Sequence, residues 1–89
     1  MMLDLSKTAR DFLGDLQAKQ FKQVTAKILE LQSEPFPHDA KHLSGYPKYR
    51  PIDSGEFRVC YKVEDKVIFV SVVGKRNDDE VYRQLSRAT

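Results

Sequence analysis

The sequence predicts a small α+β domain in which an antiparallel sheet packs against a helical hairpin and a short C-terminal helix follows. Two observations predict this fold class. Apolar residues in the first third of the chain recur at helical spacing, and those in the second half form short runs rich in aromatic and β-branched residues. Because 89 residues supply one hydrophobic core, we expect a single domain, residues 1–89, with the order β-α-α-β-β-β-α.

The first third of the chain predicts a short strand and two helices. Leu3 and Leu5 flank Asp4, as in an edge strand, and Ser6 is a suitable helix N-cap. The apolar residues that follow form two helical stripes, which are Ala9, Phe12, Leu13 and Leu16, then Phe21, Val24, Ile28 and Leu31. Because the polar segment 17–20 separates the stripes, we expect an αα-hairpin and not one continuous helix.

Two prolines, Pro35 and Pro37, end the second helix, because proline cannot continue the helical hydrogen-bond ladder. A loop then extends to about Pro47. The remaining chain predicts a three-stranded meander, with strands at residues 49–52, 57–63 and 67–73 and turns at 53–56 and 64–66. The last of these strands is almost entirely apolar, which is typical of a strand inside a sheet.

A terminal helix is predicted after the meander. Asn77 and Glu80 have the spacing of a capping box, and Val81 and Leu85 supply an apolar face. The acidic residues 78–80 fall in the first helical turn, where negative charge offsets the helix macrodipole. We therefore interpret them as helix-stabilising residues and not as a catalytic carboxylate cluster.

Charge and cysteine content narrow the classes of function. The formal net charge is +2, and the positive excess lies in the second half: residues 1–40 hold five Lys/Arg and six Asp/Glu, whereas residues 41–89 hold ten and seven. This bias favours a polyanionic partner. The lone cysteine, Cys60, lies in an apolar run, which predicts a buried structural thiol in a reducing compartment and not a nucleophile.

The sequence contains neither a membrane segment nor a cofactor motif. Its N-terminus lacks the pattern of a signal peptide and no apolar run reaches membrane-spanning length, so we expect a cytoplasmic protein without membrane contact. Glycine-rich nucleotide motifs and zinc-binding cysteine pairs are missing. His38 and His42 are four residues apart, but no third ligand stands at a suitable spacing. We therefore expect two loop histidines, with no metal and no cofactor.

The basic residues of the meander are the strongest candidates for chemistry. They lie on, or just after, three successive predicted strands: Arg50, Arg58 and the pair Lys75-Arg76. Tyr82 follows in the terminal helix. Grouped cations bind a phosphate and stabilise the charge that develops in phosphodiester cleavage, while a tyrosine stacks on a base or exchanges a proton. Solvated strand arginines and a tyrosine at the core edge explain the same pattern equally well.

Two segments closely resemble the C-terminal half of toxins in the RelE/ParE superfamily of bacterial toxin–antitoxin pairs. They are residues 55–61 (Gly-Glu-Phe-Arg-Val-Cys-Tyr) and residues 73–82 (Val-Gly-Lys-Arg-Asn-Asp-Asp-Glu-Val-Tyr). The resemblance is good over residues 49–85 and extends more loosely to the helical hairpin and the loop 41–45. It implies the same β-α-α-β-β-β-α order.

The resemblance implies a toxin that is inhibited by a RelB-like antitoxin, with operator DNA contacted only through the antitoxin. Within the RelE-like branch it implies an mRNA interferase, a metal-independent endoribonuclease that cuts messenger RNA in the ribosomal A site through attack of the ribose 2′-OH on the adjacent phosphate. Arg58 and Arg76 match arginines that bind and stabilise the phosphate. Tyr82 matches a tyrosine that orients or activates the nucleophile, and Arg50 matches a basic residue of the preceding strand.

The sequence departs from the RelE-like pattern after Arg50. Residues 51–52 (Pro-Ile) stand where a second basic residue commonly alternates with the first, so the general acid or base has no candidate there. Lys48 and Lys75 are the candidate substitutes. Together with Lys41, they are the lysines expected to contact RNA.

Two other functions stay open at this point. ParE-like toxins share the fold and inhibit DNA gyrase without the catalytic residues, and a chain that has lost toxicity would act as an inert binding partner or repressor component. The missing second strand cation is consistent with both alternatives. The joint presence of Arg58, Arg76 and Tyr82 favours the ribonuclease.

Overall fold

A computed structural model of the chain describes residues 1–37, 45–77 and 80–88. Within these ranges, a four-stranded sheet carries a helical hairpin on one face and a short helix on the other. The predicted fold class and element order are confirmed. The elements are β1 (Met2–Leu5), α1 (Lys7–Gly14), α2 (Ala18–Glu30), β2 (Arg50–Ser54), β3 (Phe57–Glu64), β4 (Val67–Lys75) and α3 (Glu80–Ala88).

The strands of the sheet are ordered β1-β4-β3-β2. Strands β2, β3 and β4 pair antiparallel, which confirms the predicted meander. The apolar strand β4 lies between β1 and β3, as its sequence indicates. Strand β1 pairs with β4 in parallel, from Met2 opposite Val67 to Leu5 opposite Val70. The prediction of an antiparallel sheet is therefore right for β2, β3 and β4, but the addition of β1 makes the whole sheet mixed.

The helical hairpin packs on one face of the sheet and forms the larger core. Its start is tied to β4, because the Ser6 hydroxyl donates to the Ser71 carbonyl oxygen (2.7 Å) and accepts from the Ala9 N–H (3.0 Å). Ser6 is therefore the N-cap of α1, as predicted. The buried residues of this hairpin core are Ala9, Leu13, Val24, Ile28, Leu31, Ile52, Phe57, Val59, Tyr61, Ile68, Val70 and Val73.

One residue of the predicted helical stripes is largely exposed. Phe21 is 43% exposed, whereas Val24, Ile28 and Leu31 are buried. Phe21 lies in the first turn of α2, one turn before Val24. The packed face of this helix therefore begins at Val24.

Helix α3 covers the opposite face of the sheet and forms a second, smaller core. Val81 and Leu85, the apolar pair predicted for this helix, are both buried. The sheet-side residues of this α3 core are Tyr49, Cys60 and Val72. Gly74 permits the close approach of the helix, because a Cβ atom at this position would lie 2.5 Å from Val81 Cγ2.

A two-residue turn, residues 55–56, joins β2 to β3. Gly55 has a φ of +58°, a conformation that glycine adopts without steric cost. The turn is two residues shorter than the sequence predicts, because β2 extends to Ser54. The resulting register places Asp53 directly opposite Arg58.

Several predictions fall on residues outside the described ranges. These residues are His38, Lys41, His42 and the acidic pair 78–79. The predicted capping box also spans residues 78–79. Of the helices in the described part of the chain, none is long and apolar enough to cross a membrane.

Replacing Gly74 with alanine tests the close packing of α3. The added methyl group would overlap Val81, so we expect Gly74→Ala to lower the free energy of unfolding by about 1–3 kcal/mol, the usual cost of overpacking. Gly14→Ala is the matched control, because a Cβ atom there meets nothing within 4 Å and alanine favours helix. Urea unfolding measures both changes. Equal stability of Gly74→Ala and the parent protein would contradict this packing.

Candidate functional site

Arg58 lies on the face of the sheet that α3 covers. Along β3, Val59 is buried in the hairpin core and Cys60 in the α3 core. Because side chains alternate along a strand, Arg58 lies on the same side as Cys60. Asp53, its register partner on β2, shares that side. The two side chains therefore meet on one surface.

The guanidinium of Arg58 makes three hydrogen bonds to residues that the structure describes. Nε donates to Asp53 Oδ1 (2.8 Å) and Nη2 donates to Asp53 Oδ2 (3.2 Å), which together form a bidentate ion pair. Nη1 donates to the Tyr82 hydroxyl oxygen (2.5 Å). The hydrogen bond to Asp53 is the largest cause that raises the pKa of Arg58 above its ordinary value, and partial burial opposes it. Arg58 is therefore a permanent positive charge in a defined orientation.

Tyr82 reaches Arg58 from helix α3. The preceding residue, Val81, is buried in the α3 core, and Tyr82 is half-buried at the edge of that core. Its ring therefore packs against apolar residues while its hydroxyl accepts the hydrogen bond from Arg58. The sequence left two alternatives for Tyr82, packing at the edge of the core and a position beside a cation. In the structure both occur together.

Arg76 lies beside Arg58 at the end of β4. It is in a turn, two residues after Gly74, and Gly74 is opposite Arg58 in the sheet. The Arg76 N–H donates to the Glu56 carbonyl oxygen (2.9 Å), which holds its backbone. Its side chain is exposed, and no residue of the described ranges pairs with it. The candidate site, as defined here, consists of Asp53, Arg58, Arg76 and Tyr82.

Arg50 is not brought to the candidate site. It begins β2 opposite Tyr61, three residues from Asp53, which is a distance of roughly 10 Å along the strand. Alternation directs its side chain to the hairpin face, where the guanidinium carbon lies 4.7 Å from the centre of the Phe36 ring. The grouping of Arg50 with the other arginines, which the meander led us to expect, does not occur.

Two of the lysines expected to contact RNA, Lys48 and Lys75, lie apart from one another. Lys75 ends β4 and is exposed, but it pairs with Phe57 and so alternates to the hairpin side. Lys48 is exposed in the loop before β2 and, with Arg50, lines a cavity of about 420 Å³. Lys41 lies outside the described residues.

Solved structures with this fold include RelE toxins. A mutant of the RelE toxin from E. coli in the free state has a TM-score of 0.81 and is 27% identical, covering 98% of this chain and 95% of that one. A RelE mutant from E. coli in complex with a peptide of the antitoxin RelBc has a TM-score of 0.72 and 30% identity, covering 99% and 93%. The chain belongs to the RelE family of toxins.

A more distant structure shares the RelE fold. It is the RelBE2 toxin–antitoxin complex from Mycobacterium tuberculosis, with a TM-score of 0.74 at 22% identity over 86% of this chain and 92% of that one. No protein-family model and no curated protein matches the sequence.

In this RelE-family chain, the β2 residue that reaches Arg58 is an acid. Ile52, which stands where a second basic residue was expected, is 2% exposed and packs in the hairpin core. The β2 positions on the α3 side are Pro51 and Asp53, and proline is tolerated because β2 is an edge strand. Asp53 falls in the turn predicted from the sequence. A two-residue turn at Gly55 is the signal that places it on the strand.

Cys60 takes no part in the candidate site. It is completely buried in the α3 core, and burial raises the pKa of its thiol to about 12. The prediction of a buried thiol is confirmed, and a protonated, inaccessible thiol is a poor nucleophile. Across residues 1–37, 45–77 and 80–88, no three His, Cys, Asp or Glu side chains are grouped to hold a metal ion.

The burial of Cys60 predicts slow modification of the folded protein. In urea the thiol ionises near pH 9, so its reaction with a thiol reagent should accelerate from pH 7 to pH 9 and then level off. In the folded protein the raised pKa keeps the thiol protonated across this range, and the reaction should be slower by roughly 10²-fold or more. A folded protein that reacts as fast as the unfolded chain would contradict the burial of Cys60.

Proposed function

We propose that this chain is the toxin of a type II toxin–antitoxin pair and cleaves messenger RNA on the ribosome. The observation that carries the proposal is the hydrogen bond from Arg58 to Tyr82, at the end of the sheet where the exposed Arg76 follows β4. A cation that contacts a phenol, with a second cation at the same end of the sheet, matches the needs of phosphodiester cleavage. Membership of the RelE family supports this reaction over other polyanion binding.

The reaction would be an internal transfer that needs no external nucleophile. The ribose 2′ oxygen attacks the adjacent phosphorus, the bond to the 5′ oxygen breaks, and a cyclic phosphate and a free 5′-hydroxyl result. One proton leaves the 2′-hydroxyl and one arrives at the 5′ oxygen. Negative charge on the phosphate oxygens increases in the transition state, so cations fixed beside them lower the barrier.

The residues of the candidate site fit separate parts of this reaction. Arg58, held from two sides, would bind the scissile phosphate and stabilise its developing charge. Arg76, which is exposed, would contact a second phosphate oxygen. Tyr82 would orient the nucleotide through its ring or hydroxyl. Arg50 and Lys48, which lie on the hairpin side and in the loop before β2, would contact RNA outside the reacting group.

The proposal includes an antitoxin partner. RelE toxins of similar structure have been solved with RelB antitoxins, among them the intact RelBE complex of E. coli, which is 28% identical over 86% of this chain. We therefore propose a RelB-like antitoxin, with operator DNA contacted through it. Co-purification with the product of an adjacent small reading frame tests this partner.

The target is tested in a cell-free translation reaction. Purified protein should stop translation, and primer extension should map new messenger RNA ends within A-site codons. Ends that form without ribosomes would contradict ribosome dependence. Intact message together with blocked gyrase supercoiling would overturn the ribonuclease function in favour of a ParE-like toxin.

Alanine substitutions should separate the arginines of the site from other surface arginines. We expect Arg58→Ala and Arg76→Ala each to slow single-turnover cleavage on the order of 10²-fold or more, because each removes a positive charge from the transition state. Arg10→Ala, an exposed arginine on α1, is the control and should cleave normally. Equal cleavage by all three variants would remove the catalytic assignment.

Tyr82→Phe tests the hydroxyl separately from the ring. The substitution keeps the ring in the α3 core and removes the acceptor of the Arg58 hydrogen bond. We expect a loss of roughly tenfold, which is typical for one hydrogen bond to a charged group and smaller than the loss from Arg76→Ala. Single-turnover rates over a pH series measure it. A loss as large as that of the arginine variants, with an altered pH profile, would instead assign proton transfer to Tyr82.

A further inference from the structure

Arg58 keeps two N–H groups for a ligand. A guanidinium carries five N–H donors. Described residues accept three of them, since Nε and Nη2 donate to Asp53 and Nη1 donates to Tyr82. The remaining two are one on Nη1 and one on Nη2, the terminal nitrogens of the group. A phosphate accepts two such donors at once.

The ion pair between Asp53 and Arg58 acts mainly on orientation. The Arg58 side chain is 23% exposed and that of Asp53 is 36% exposed, and pairs with this much solvent contact add little to folding stability. The geometry is nevertheless bidentate, and the two residues face each other on paired strands. Two hydrogen bonds to one carboxylate fix the plane of the guanidinium, which a single bond would leave free to rotate.

We propose that Asp53 is a positioning residue of the ribonuclease reaction, which holds Arg58 with its two remaining N–H donors directed at the scissile phosphate. This inference rests on the proposed function. Asp53 acts through Arg58 and does not contact RNA itself, because a carboxylate repels a phosphate. Tyr82 supports the same guanidinium from the α3 side.

This role has a kinetic signature. The negative charge of Asp53 opposes the binding of RNA, so its removal leaves binding unchanged or makes it tighter. Its removal also releases the guanidinium, so the charge of the transition state is stabilised less well. Loss of the Asp53 carboxylate therefore lowers kcat without raising KM.

Asp53→Asn in the ribosome-dependent cleavage assay tests this signature. We expect kcat to fall roughly 10–100-fold, with KM unchanged or lower. Asp11→Asn is the matched control, because Asp11 forms an exposed ion pair with Lys7 (2.7 Å) on α1, and both constants should stay at the parent values. An unchanged or higher kcat for Asp53→Asn overturns the proposal, because the carboxylate would then not position Arg58 for the reaction.

A double-mutant cycle tests whether Asp53 acts through Arg58. In an Arg58→Ala background, Asp53→Asn should reduce cleavage by less than about twofold, because the group that it positions is gone. An equal loss with and without Arg58 overturns the proposal and assigns Asp53 a general structural role. Asp53→Ala is measured in parallel, and the same two outcomes apply to it.

Nuclear magnetic resonance separates this proposal from the proposed function. The Arg58 Nε–H proton, bound to the carboxylate, should exchange slowly with water, and it should exchange faster in Asp53→Asn while the backbone spectrum is retained. This change in a protein that cuts no RNA supports the positioning of Arg58 and overturns only the ribonuclease function. An Nε–H exchange rate that is equal in both proteins overturns the role of Asp53, whether or not RNA is cut.

Discussion

The register between β2 and β3 determines which side chains share a surface in this protein. It pairs Asp53 with Arg58 and Ile52 with Val59. Because side chains alternate between the two faces of a strand, a slip of the edge strand β2 by one residue would turn Asp53 towards the hairpin core and Ile52 towards the α3 side. Burial of Ile52 and Val59 opposes that slip. Burial of apolar side chains on one face thus fixes which polar side chains meet on the other face. The two-residue turn that begins with Gly55 sets this register.

Helix α3 completes the candidate site with few contacts. The hydrogen bond between Tyr82 and Arg58 depends on the burial of Val81 and Leu85 in the smaller core, because these residues hold α3 against the sheet. The sheet and the helical hairpin share a separate, larger core, to which α3 contributes no residue. The position of Tyr82 therefore depends on the smaller core, whereas Arg58 and its carboxylate partner lie on paired strands.

The elements of the fold follow from sequence patterns, but the composition of the site does not. Helical and strand periodicities are local, so all seven elements were predictable, and so was the buried state of Cys60. The turn between β2 and β3 is two residues shorter than the sequence predicts, and this difference places Asp53 on the strand opposite Arg58. Arg50 is on the other face because it pairs with Tyr61, which is buried in the hairpin core. The parallel pairing of β1 is likewise a long-range choice that no local pattern encodes.

The parallel pairing of β1 with β4 also determines when the sheet can close during synthesis. Met2 pairs with Val67, and the Ser6 hydroxyl bonds to the Ser71 carbonyl oxygen 65 residues further along the chain. Strand β4 lies between β1 and β3, so the N-terminal strand has no neighbour in the sheet until the fourth strand has been made. Contacts of such sequence separation form late, because closing a long loop costs entropy before any contact compensates for it. A nascent chain therefore holds β1 unpaired until residues 67–70 have been made, and a truncated product lacking β4 has no partner strand for β1.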